Sequence, residues 1–541
     1  MTLLPGLVGA DGAARPRRKR FHDPKPAQEE LGKWIWTGDG GPARNSYVYF
    51  RKLIDLPSRP GSAVMKAAAD SKYKLYVNGQ YVGKGPARAP AETSYYDTHD
   101  ITHVLTKGSN VIAFLVHHFG EPTYTGSGEM PGLNCRAEIE LGREQLVVAS
   151  DDTWKAHRAS DWTDQGERLN DNLGFQEVYD AGARIENWNQ VRLNERDWQN
   201  AVVVGAPPQA PWGALVPRRI PLLKEERILP RAVVGTFNCH PRGREARPGA
   251  IPQVMSLSML SPVTAGSVKG VNSLLTEDGV THVRTPHGDA GAAIILDFGR
   301  EVFGNVEIGI AGSADGCIDI GYGELLSDGH VKPDRGDTKY TDRILLARGR
   351  FEWQSFEPRA FRYMQIEFRW LSSPVALEYV RVNQTTYPVN HTGSFECSDS
   401  LLNQIWKTAA YTTELCMEDA FISSPWHDRA RNWADVRVAA RAAYYAFGDT
   451  ALLAQELRHV AESQADDGAL PGVCPPAEGE PAVDLMLLWV LSVLEYYAFS
   501  DDAELVRELY PSVRRVMQWV DQYARRSVAY YGAHAWISIA R

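Results

Sequence analysis

Residues 423–437 read SSPWHDRARNWADVR and place two carboxylates among basic and aromatic side chains. Because Pro425 disfavours the α conformation in the residue before it, the helix predicted to run to about Phe447 should start near Asp428. One face of that helix is expected to carry Asp428, Arg431, Asn432 and Asp435. At about 1.5 Å per residue, the two carboxylates would lie about 10 Å apart along the axis and could address one pocket.

Paired carboxylates are what the hydrolysis of a glycosidic bond uses. One carboxylic acid protonates the leaving oxygen, and a second carboxylate acts as nucleophile or activates water; in inverting enzymes the two groups are about 6.5–9.5 Å apart. Asp428 is the candidate acid. A second interpretation stays open, because an aspartate at a helix start also caps free backbone N–H groups.

The composition of the chain argues against some classes of binding partner. Lys and Arg total 58 against 67 Asp and Glu, and the net charge of -9 argues against a nucleic-acid or anionic-membrane surface. No stretch approaches the roughly 18 apolar residues that a membrane span needs. The 15 tryptophans suit either sugar binding or the cores of sheet domains. The expected partners are neutral or small molecules, among which a carbohydrate substrate would suit the paired carboxylates.

The six cysteines form no CxxC or Cys/His spacing, so we predict neither a metal site nor disulfides, and no cofactor is expected. In the leader, residues 1–32, a short apolar run precedes a basic cluster, which is the reverse of a secretory signal. A disordered leader and a cytoplasmic, reducing location are therefore predicted.

Residues 33–205 read as short strands separated by turns. YKLYVNGQYVGKG contains Asn78-Gly79, a strong hairpin signal, and ITHVLTKGSNVIAFLV is expected to repeat the scheme. A β-sandwich is predicted, similar to the jelly-roll modules of large glycosidases, which either bind sugar or brace a neighbouring domain. The proline-rich residues 206–231 indicate a linker or a wrapped extended segment. Alternating strands then predict a second β-sandwich over residues 232–390.

After residue 393 the apolar period changes from 2 to 3.6. Five amphipathic segments follow, and the fourth, around residues 484–499, is apolar nearly all round, as an inner helix would be. Asp399 or Ser398 is a candidate cap for the first helix, and Gly448 for the end of the second. Residues 391–541 therefore predict a helical barrel.

The segment SSPWHDRARNWADVR resembles the signature of the α-L-rhamnosidases, glycoside hydrolase family 78, which is approximately Asp-x-Pro-x-Arg-Glu-Arg/Gln-x-x-Trp-x-Gly-Asp. YKLYVNGQYVGKGP, FEPRAFRYMQIE and VDLMLLWVLSVLEYYAF are similar to successive blocks of the same family, so the resemblance covers about residues 33–541. Ser423, His427, Asn432 and Ala434 depart from the signature. Asp428 stands where the family usually has Glu.

The resemblance implies a general acid at Asp428. It also implies substrate-binding roles for Asp435, Arg429, Trp433, Asp484 and Trp536, although Asp484 could instead be a helix N-cap. The implied reaction is inverting hydrolysis of terminal α-L-rhamnosyl or related residues.

The resemblance further implies that the helices are the first half of an (α/α)6 barrel. The family's general base comes from the later half and has no counterpart here, so the chain is expected to be a fragment or a shortened relative. Such a half-barrel would expose apolar helix faces, which predicts poor solubility, a homo-oligomer or a partner chain. The alternative function is a truncated, non-catalytic carbohydrate-binding or remnant protein.

Overall fold

The computed structural model describes residues 31–530, apart from 39–43, 91–92, 127, 129, 241–246, 264–265, 287–289, 313–314 and 475–480; side chains are described to residue 524. The predicted leader lies outside the described residues except for its last two. Leu31 is only 2% exposed and packs with Trp34 and Trp212, so the folded chain begins before residue 33.

The first domain contains two sheets with one shared core. The first has seven strands: Val202–Gly205, Trp34–Trp36, Gly132–Leu141, Ser62–Asp70, Thr93–Asp100 and Ala214–Pro217 in spatial order, with Glu144–Ala149 beside Gly132–Leu141. The second has six: Gln199–Asn200, Lys155–Arg158, Ser46–Leu56, Gly108–His118, Lys72–Val77 and Gln80–Gly85. Val48 and Phe50 of the six-stranded sheet meet Met65 and Ile139 of the other in the buried core.

The predicted hairpin is confirmed: Lys72–Val77 pairs with Gln80–Gly85, and both turn residues have positive φ, 51° at Asn78 and 79° at Gly79. The prediction for ITHVLTKGSNVIAFLV is half wrong. Gly108–His118 is a strand, but Thr102–Val104 is a 3₁₀ turn, because the Asp100 carboxylate accepts the Thr102 N–H at 2.9 Å and bends the chain.

The second domain is a sheet of thirteen strands, of which nine are consecutive neighbours: Trp162–Thr163, Val178–Asp180, Thr341–Leu345, Cys317–Gly323, Arg359–Arg369, Gly291–Gly312, Val375–Thr386, Thr281–Val283 and Val268–Lys269. The other four are Lys224–Ile228, Ala232–His240, Met259–Pro262 and Gly349–Gln354. Two short hairpins, Leu326–Ser327 with His330–Val331 and Asp334–Arg335 with Thr338–Lys339, and the 3₁₀ turns Pro248–Ala250 and Val271–Leu275 lie outside the sheet.

The boundary between these domains differs from the predicted one. Val178–Asp180, predicted inside the first domain, pairs in parallel with Thr341–Leu345 of the second. The Glu177 carboxylate fixes this crossing, because it accepts the N–H groups of Phe356 and Glu357 at 2.7 and 2.8 Å. Residues 206–231 are a wrapped extended segment, since Ala214–Pro217 joins the first domain and Lys224–Ile228 the second.

The helical part contains the five predicted helices. After the short α1 (Ile251–Leu257) of the second domain come α2 (Ser400–Leu415), α3 (Trp433–Phe447), α4 (Ala451–Glu462), α5 (Val483–Ser500) and α6 (Ala503–Tyr530). The Asp399 carboxylate caps α2, and Gly448, with φ 67°, ends α3, as predicted.

Helix α5 is apolar on its outer face as well as its inner one. Trp489 is buried, with its indole N–H donating to the Leu457 carbonyl at 3.3 Å, whereas Leu494 is 65% exposed. The expectation of an exposed apolar face is confirmed for this helix. By length and composition alone α5 could cross a membrane, which corrects the expectation that no segment reaches that limit. Its buried residues nonetheless pack as in the core helix of a folded domain.

A buried ionic cluster joins the three domains. Arg88 of the first domain contacts Asp419 and Glu418, which follow α2, both at 2.7 Å. Arg429, which precedes α3, pairs with Glu418 and, at 3.1 Å, with Glu357 of the second domain. Burial alone would raise the pKa of Asp419, but the nearby charges of Arg88 and Lys72 outweigh it and hold the pKa below its ordinary value.

We expect the substitution Arg88→Met to lower the free energy of unfolding by about 3–5 kcal/mol, because it removes the buried guanidinium that contacts Glu418 and Asp419 and leaves excess negative charge in the cluster. Arg136→Met is the matched control. Its partner Glu138 and Arg136 itself both have side chains 32% exposed, so a loss of at most about 1 kcal/mol is expected. Urea unfolding followed by tryptophan fluorescence measures both. Equal losses for the two variants would contradict a dominant role for the cluster.

Candidate active site

The carboxylate of Asp428 is presented by a turn and not by a helix. Helix α3 begins at Trp433, and its N-cap is Asn432, whose side chain accepts the Ala434 N–H at 2.9 Å. The predictions that Asp428 shares a helix face with Asp435 and that it caps the helix are therefore wrong. The physical reason lies at Arg429, whose φ of 50° is left-handed and interrupts any helix through this segment.

This turn, residues 423–430, is closed at its base. The N–H of Ser423 donates to the Ala430 carbonyl at 2.9 Å, and the N–H of Arg429 donates to the Ser424 carbonyl at 2.9 Å. Its outer end is held by Trp426, which is buried in the core of the second domain with its ring 5.7 Å from that of Tyr340. The turn therefore has one fixed position relative to the thirteen-stranded sheet.

Two further contacts hold the turn from other domains. The side-chain amide of Asn170 donates to the His427 carbonyl at 2.7 Å, and the His427 ring nitrogen Nε2 lies 3.2 Å from Oδ1 of Asp337. His427 stands where the resembling family has Arg, and the carboxylate that it contacts lies on a neighbouring domain.

The Asp428 carboxyl is oriented by two donors. Its Oδ1 accepts the Ser423 hydroxyl at 2.8 Å and the Ala430 N–H at 2.9 Å. Among the described residues, no hydrogen bond is formed to Oδ2. The side chain is half-buried, so one oxygen is fixed while the other stays available to a ligand.

Asp435 lies close enough to Asp428 for their charges to interact. Burial raises the pKa of Asp435, and the neighbouring Asp428 raises it further. Cys416, at the end of α2, lies near both: burial first, and then these two carboxylates, raise the pKa of its thiol to about 11. Asp435 is itself exposed in the first turn of α3. The structure thus brings the two predicted carboxylates to one accessible place.

Arg429 is placed differently. Its guanidinium is buried, pairs with Glu418 and Glu357, and lies 5.4 Å from the centre of the Phe303 ring. Burial would lower its pKa, but the two carboxylates outweigh burial and raise it. The described contacts give this side chain a positioning role in the ionic cluster, and its predicted contact with sugar stays a prediction.

In the described part of the chain, no hydrogen bond joins Trp433 or Asp484 to Asp428. Trp433 is 5% exposed in the helical core and its indole donates to the Ser492 hydroxyl at 2.9 Å. Asp484 is exposed in the first turn of α5, whose N-cap is Ala482, so the N-cap alternative for Asp484 is wrong. Trp536 lies outside the described residues. Among those described, no group of three or more histidine, cysteine or acidic side chains is placed to hold a metal ion.

Sequence reasoning missed the residues that hold the turn. In the sequence, Ser423 stands out only as a departure from the rhamnosidase signature. In the structure, its hydroxyl orients the candidate acid Asp428. Tyr340 and Asn170 are separated from the turn by many residues of sequence, and no local pattern points to them. For Ser423 a signal did exist, since a hydroxyl five residues before an aspartate can bond to it across a turn.

Comparisons with known protein families match the chain in three successive blocks. Residues 58–220 match the α-L-rhamnosidase N-terminal domain, residues 289–383 the bacterial α-L-rhamnosidase concanavalin-like domain, and residues 390–537 the bacterial α-L-rhamnosidase six-hairpin glycosidase domain. The chain is a rhamnosidase-like protein of glycoside hydrolase family 78. The residues matched to the six-hairpin domain include the turn that carries Asp428.

Relatives in this family differ widely from the chain in sequence. An α-L-rhamnosidase of Streptomyces avermitilis is 22% identical over 534 residues, which cover 92% of this chain and 44% of that protein. One of Formosa agariphila is 21% identical over 397 residues, covering 67% of this chain and 34% of that protein. The chain thus spans less than half the length of these two relatives.

Solved structures of the family share the fold. A family 78 rhamnosidase of Bacillus sp. GL1 superposes with a TM-score of 0.81 at 23% identity, covering 90% of this chain and 69% of that one. The S. avermitilis α-L-rhamnosidase, solved with L-rhamnose, gives a TM-score of 0.66 at 19% identity, covering 89% of this chain and 42% of that one.

The electrostatic interaction between the carboxylates of Asp428 and Asp435 can be measured through the pKa of Asp435. In the variant Asp428→Asn the pKa of Asp435 should fall, because one of its two causes has been removed. It should stay above the ordinary value, because burial remains. NMR titration of ¹³C-labelled aspartate side chains measures the change. The control is Asp449, whose pKa is raised by burial independently of Asp428 and should not move. An unchanged pKa at Asp435 would show that the two groups are not neighbours.

Proposed function

We propose that the chain is an inverting glycoside hydrolase that cleaves terminal α-L-rhamnosyl or closely related residues, with Asp428 as its general acid. The observation that carries the proposal is the Asp428 carboxyl itself. This carboxyl does not cap α3, because Asn432 does. Its Oδ1 is held by Ser423 and Ala430, and its Oδ2 stays available to a ligand beside the exposed Asp435.

In this proposal Asp428 protonates the glycosidic oxygen through Oδ2 as the bond to the anomeric carbon breaks. In the same displacement a water attacks the anomeric carbon from the opposite face and gives up its proton to a base, which inverts the configuration. The hydroxyl of Ser423 holds the carboxyl in one rotamer, so the acid loses little orientational entropy on reaching the oxygen. Asp435 accepts hydrogen bonds from sugar hydroxyls. The proposal assigns the general base to no residue.

The architecture that goes with this function is two β-sandwiches followed by part of an (α/α)6 barrel. The single core shared by the two sheets of the first domain supports the first element. Five successive helices, with α3 packed against both α2 and α5, support the last. Asp484 and Trp536 remain proposed binding residues of the barrel. A cytoplasmic location is also proposed, and the six free cysteines support it.

The substitution Asp428→Asn should lower kcat/KM for an alkyl rhamnoside by about 100- to 10,000-fold, because its basic leaving group needs a proton from the enzyme. A nitrophenyl rhamnoside should lose much less, since its leaving group departs without protonation. Rhamnose release, followed by a coupled assay, measures both. Asp428→Glu, which restores the side-chain length usual in the family, should keep measurable activity.

The control is Asp152→Asn, an exposed aspartate of the first domain, which should leave both rates unchanged. Full activity of Asp428→Asn on the alkyl rhamnoside would contradict the assignment of Asp428 as the general acid. A chain that binds rhamnosides and hydrolyses neither substrate would instead be the non-catalytic alternative.

A further inference from the structure

A large cleft separates the two sheet domains, away from the candidate active site. Its volume is about 930 Å³, at the upper end of the roughly 300–1,000 Å³ typical of ligand pockets. One wall comes from the six-stranded sheet of the first domain and the loop around Trp188, and the other from Gly349–Gln354 and Val375–Thr386 of the second. No residue of the segment 416–437 lines it.

Aromatic rings form a continuous row along the first-domain wall. The rings of Tyr49 and Trp188 are 4.3 Å apart, those of Trp188 and Tyr76 5.2 Å, and those of Tyr76 and Tyr81 5.7 Å. Trp188 and Tyr76 are half-buried and Tyr81 is exposed, so their free surfaces face the cleft that they line. Neighbouring rings in this row are tilted or edge-to-face, with interplanar angles of 34°, 78° and 65°, so each accessible ring can offer its own apolar surface to the C–H groups of a sugar unit.

The charges of the cleft are balanced and mostly engaged with one another. Five cationic residues, Lys74, Arg184, Arg227, Arg350 and Arg381, are matched by five acidic ones, Asp161, Glu186, Glu225, Glu307 and Glu352. Arg381 pairs with Glu307 at 2.6 Å, and Arg184 with Glu186 at 2.7 Å. A phosphate or polyanionic ligand would find little unpaired positive charge here, and the lining favours a neutral ligand with many hydroxyls.

One buried donor belongs to the lining. The indole nitrogen of Trp353 has no hydrogen-bond partner among the described residues, and Trp353 is 2% exposed. Asp161, which also lines the cleft, accepts the Tyr49 hydroxyl at 2.8 Å. A buried donor without a partner is unusual in a folded protein.

We propose that this cleft is a second carbohydrate-binding site, which holds a neutral oligosaccharide of about two to four units along the accessible rings of Trp188, Tyr76 and Tyr81, with the buried Tyr49 behind Trp188. It would hold a substrate chain away from the point of cleavage, in a position that depends on both sheet domains. That the sugar is rhamnose rests on the proposed function; that the ligand is a neutral oligosaccharide rests on the cleft alone.

The test is isothermal titration of the full chain carrying Asp428→Asn, so that no ligand is consumed. Rhamnotriose is the neutral probe, maltotriose tests the sugar, and trigalacturonate is the anionic probe. We expect rhamnotriose to bind, and Trp188→Ala and Tyr81→Ala each to weaken it about tenfold or more. Trp370→Ala is the matched control, because Trp370 is 42% exposed and lies outside the cleft. It should leave binding unchanged.

Binding that does not respond to Trp188→Ala and Tyr81→Ala would overturn the site, as would tighter binding of trigalacturonate than of either neutral sugar. Binding of maltotriose alone, with the same dependence on Trp188, would support the cleft and count against rhamnose as the substrate. Because binding is read without turnover, a chain that fails to hydrolyse rhamnosides would contradict the proposed function and leave this test intact.

Discussion

The buried ionic cluster at the junction of the three domains is the interaction on which the rest of the structure depends. Charges taken out of water are costly unless each has its partner in place. Arg88, Glu418, Asp419, Arg429 and Glu357 come from three domains, so each domain must be docked before the charges are compensated. A misplaced domain would leave charges buried without partners, which costs more free energy than the correct pairing contributes. The cluster therefore fixes one relative arrangement of the domains.

The candidate acid takes its position from that cluster. Arg429 is the residue next to Asp428, and its guanidinium is held by carboxylates of two domains while its backbone turns through a left-handed conformation. On the other side of Asp428, Trp426 is anchored against Tyr340. The proposed acid, for which a misplacement of about 1 Å would be costly, is thus placed between two fixed neighbours.

Local patterns predicted what depends on local interactions. The Asn78-Gly79 hairpin, the five helices, and the ends of α2 and α3 follow from turn chemistry, periodicity and capping, and the structure confirms them. The start of α3 was misplaced because the left-handed Arg429 is stabilised by Glu418 and Glu357, whose proximity no periodicity can show. The crossing of Val178–Asp180 into the second domain was missed for the same reason, since its partner strand lies more than 160 residues away.

Trp426 is anchored in the core of the thirteen-stranded sheet. The unit that holds the candidate acid therefore includes the second sheet domain as well as the helices. In sequence, the sheet domains look like accessory modules placed before a helical domain that carries the chemistry. In space, the turn bearing the candidate acid inserts Trp426 into the core of the second sheet domain, and the side chain of Asn170 bonds to its backbone. The helical domain of this chain is therefore a poor candidate for transfer to another scaffold without the second sheet domain, because the turn before α3 would lose the core in which Trp426 is anchored.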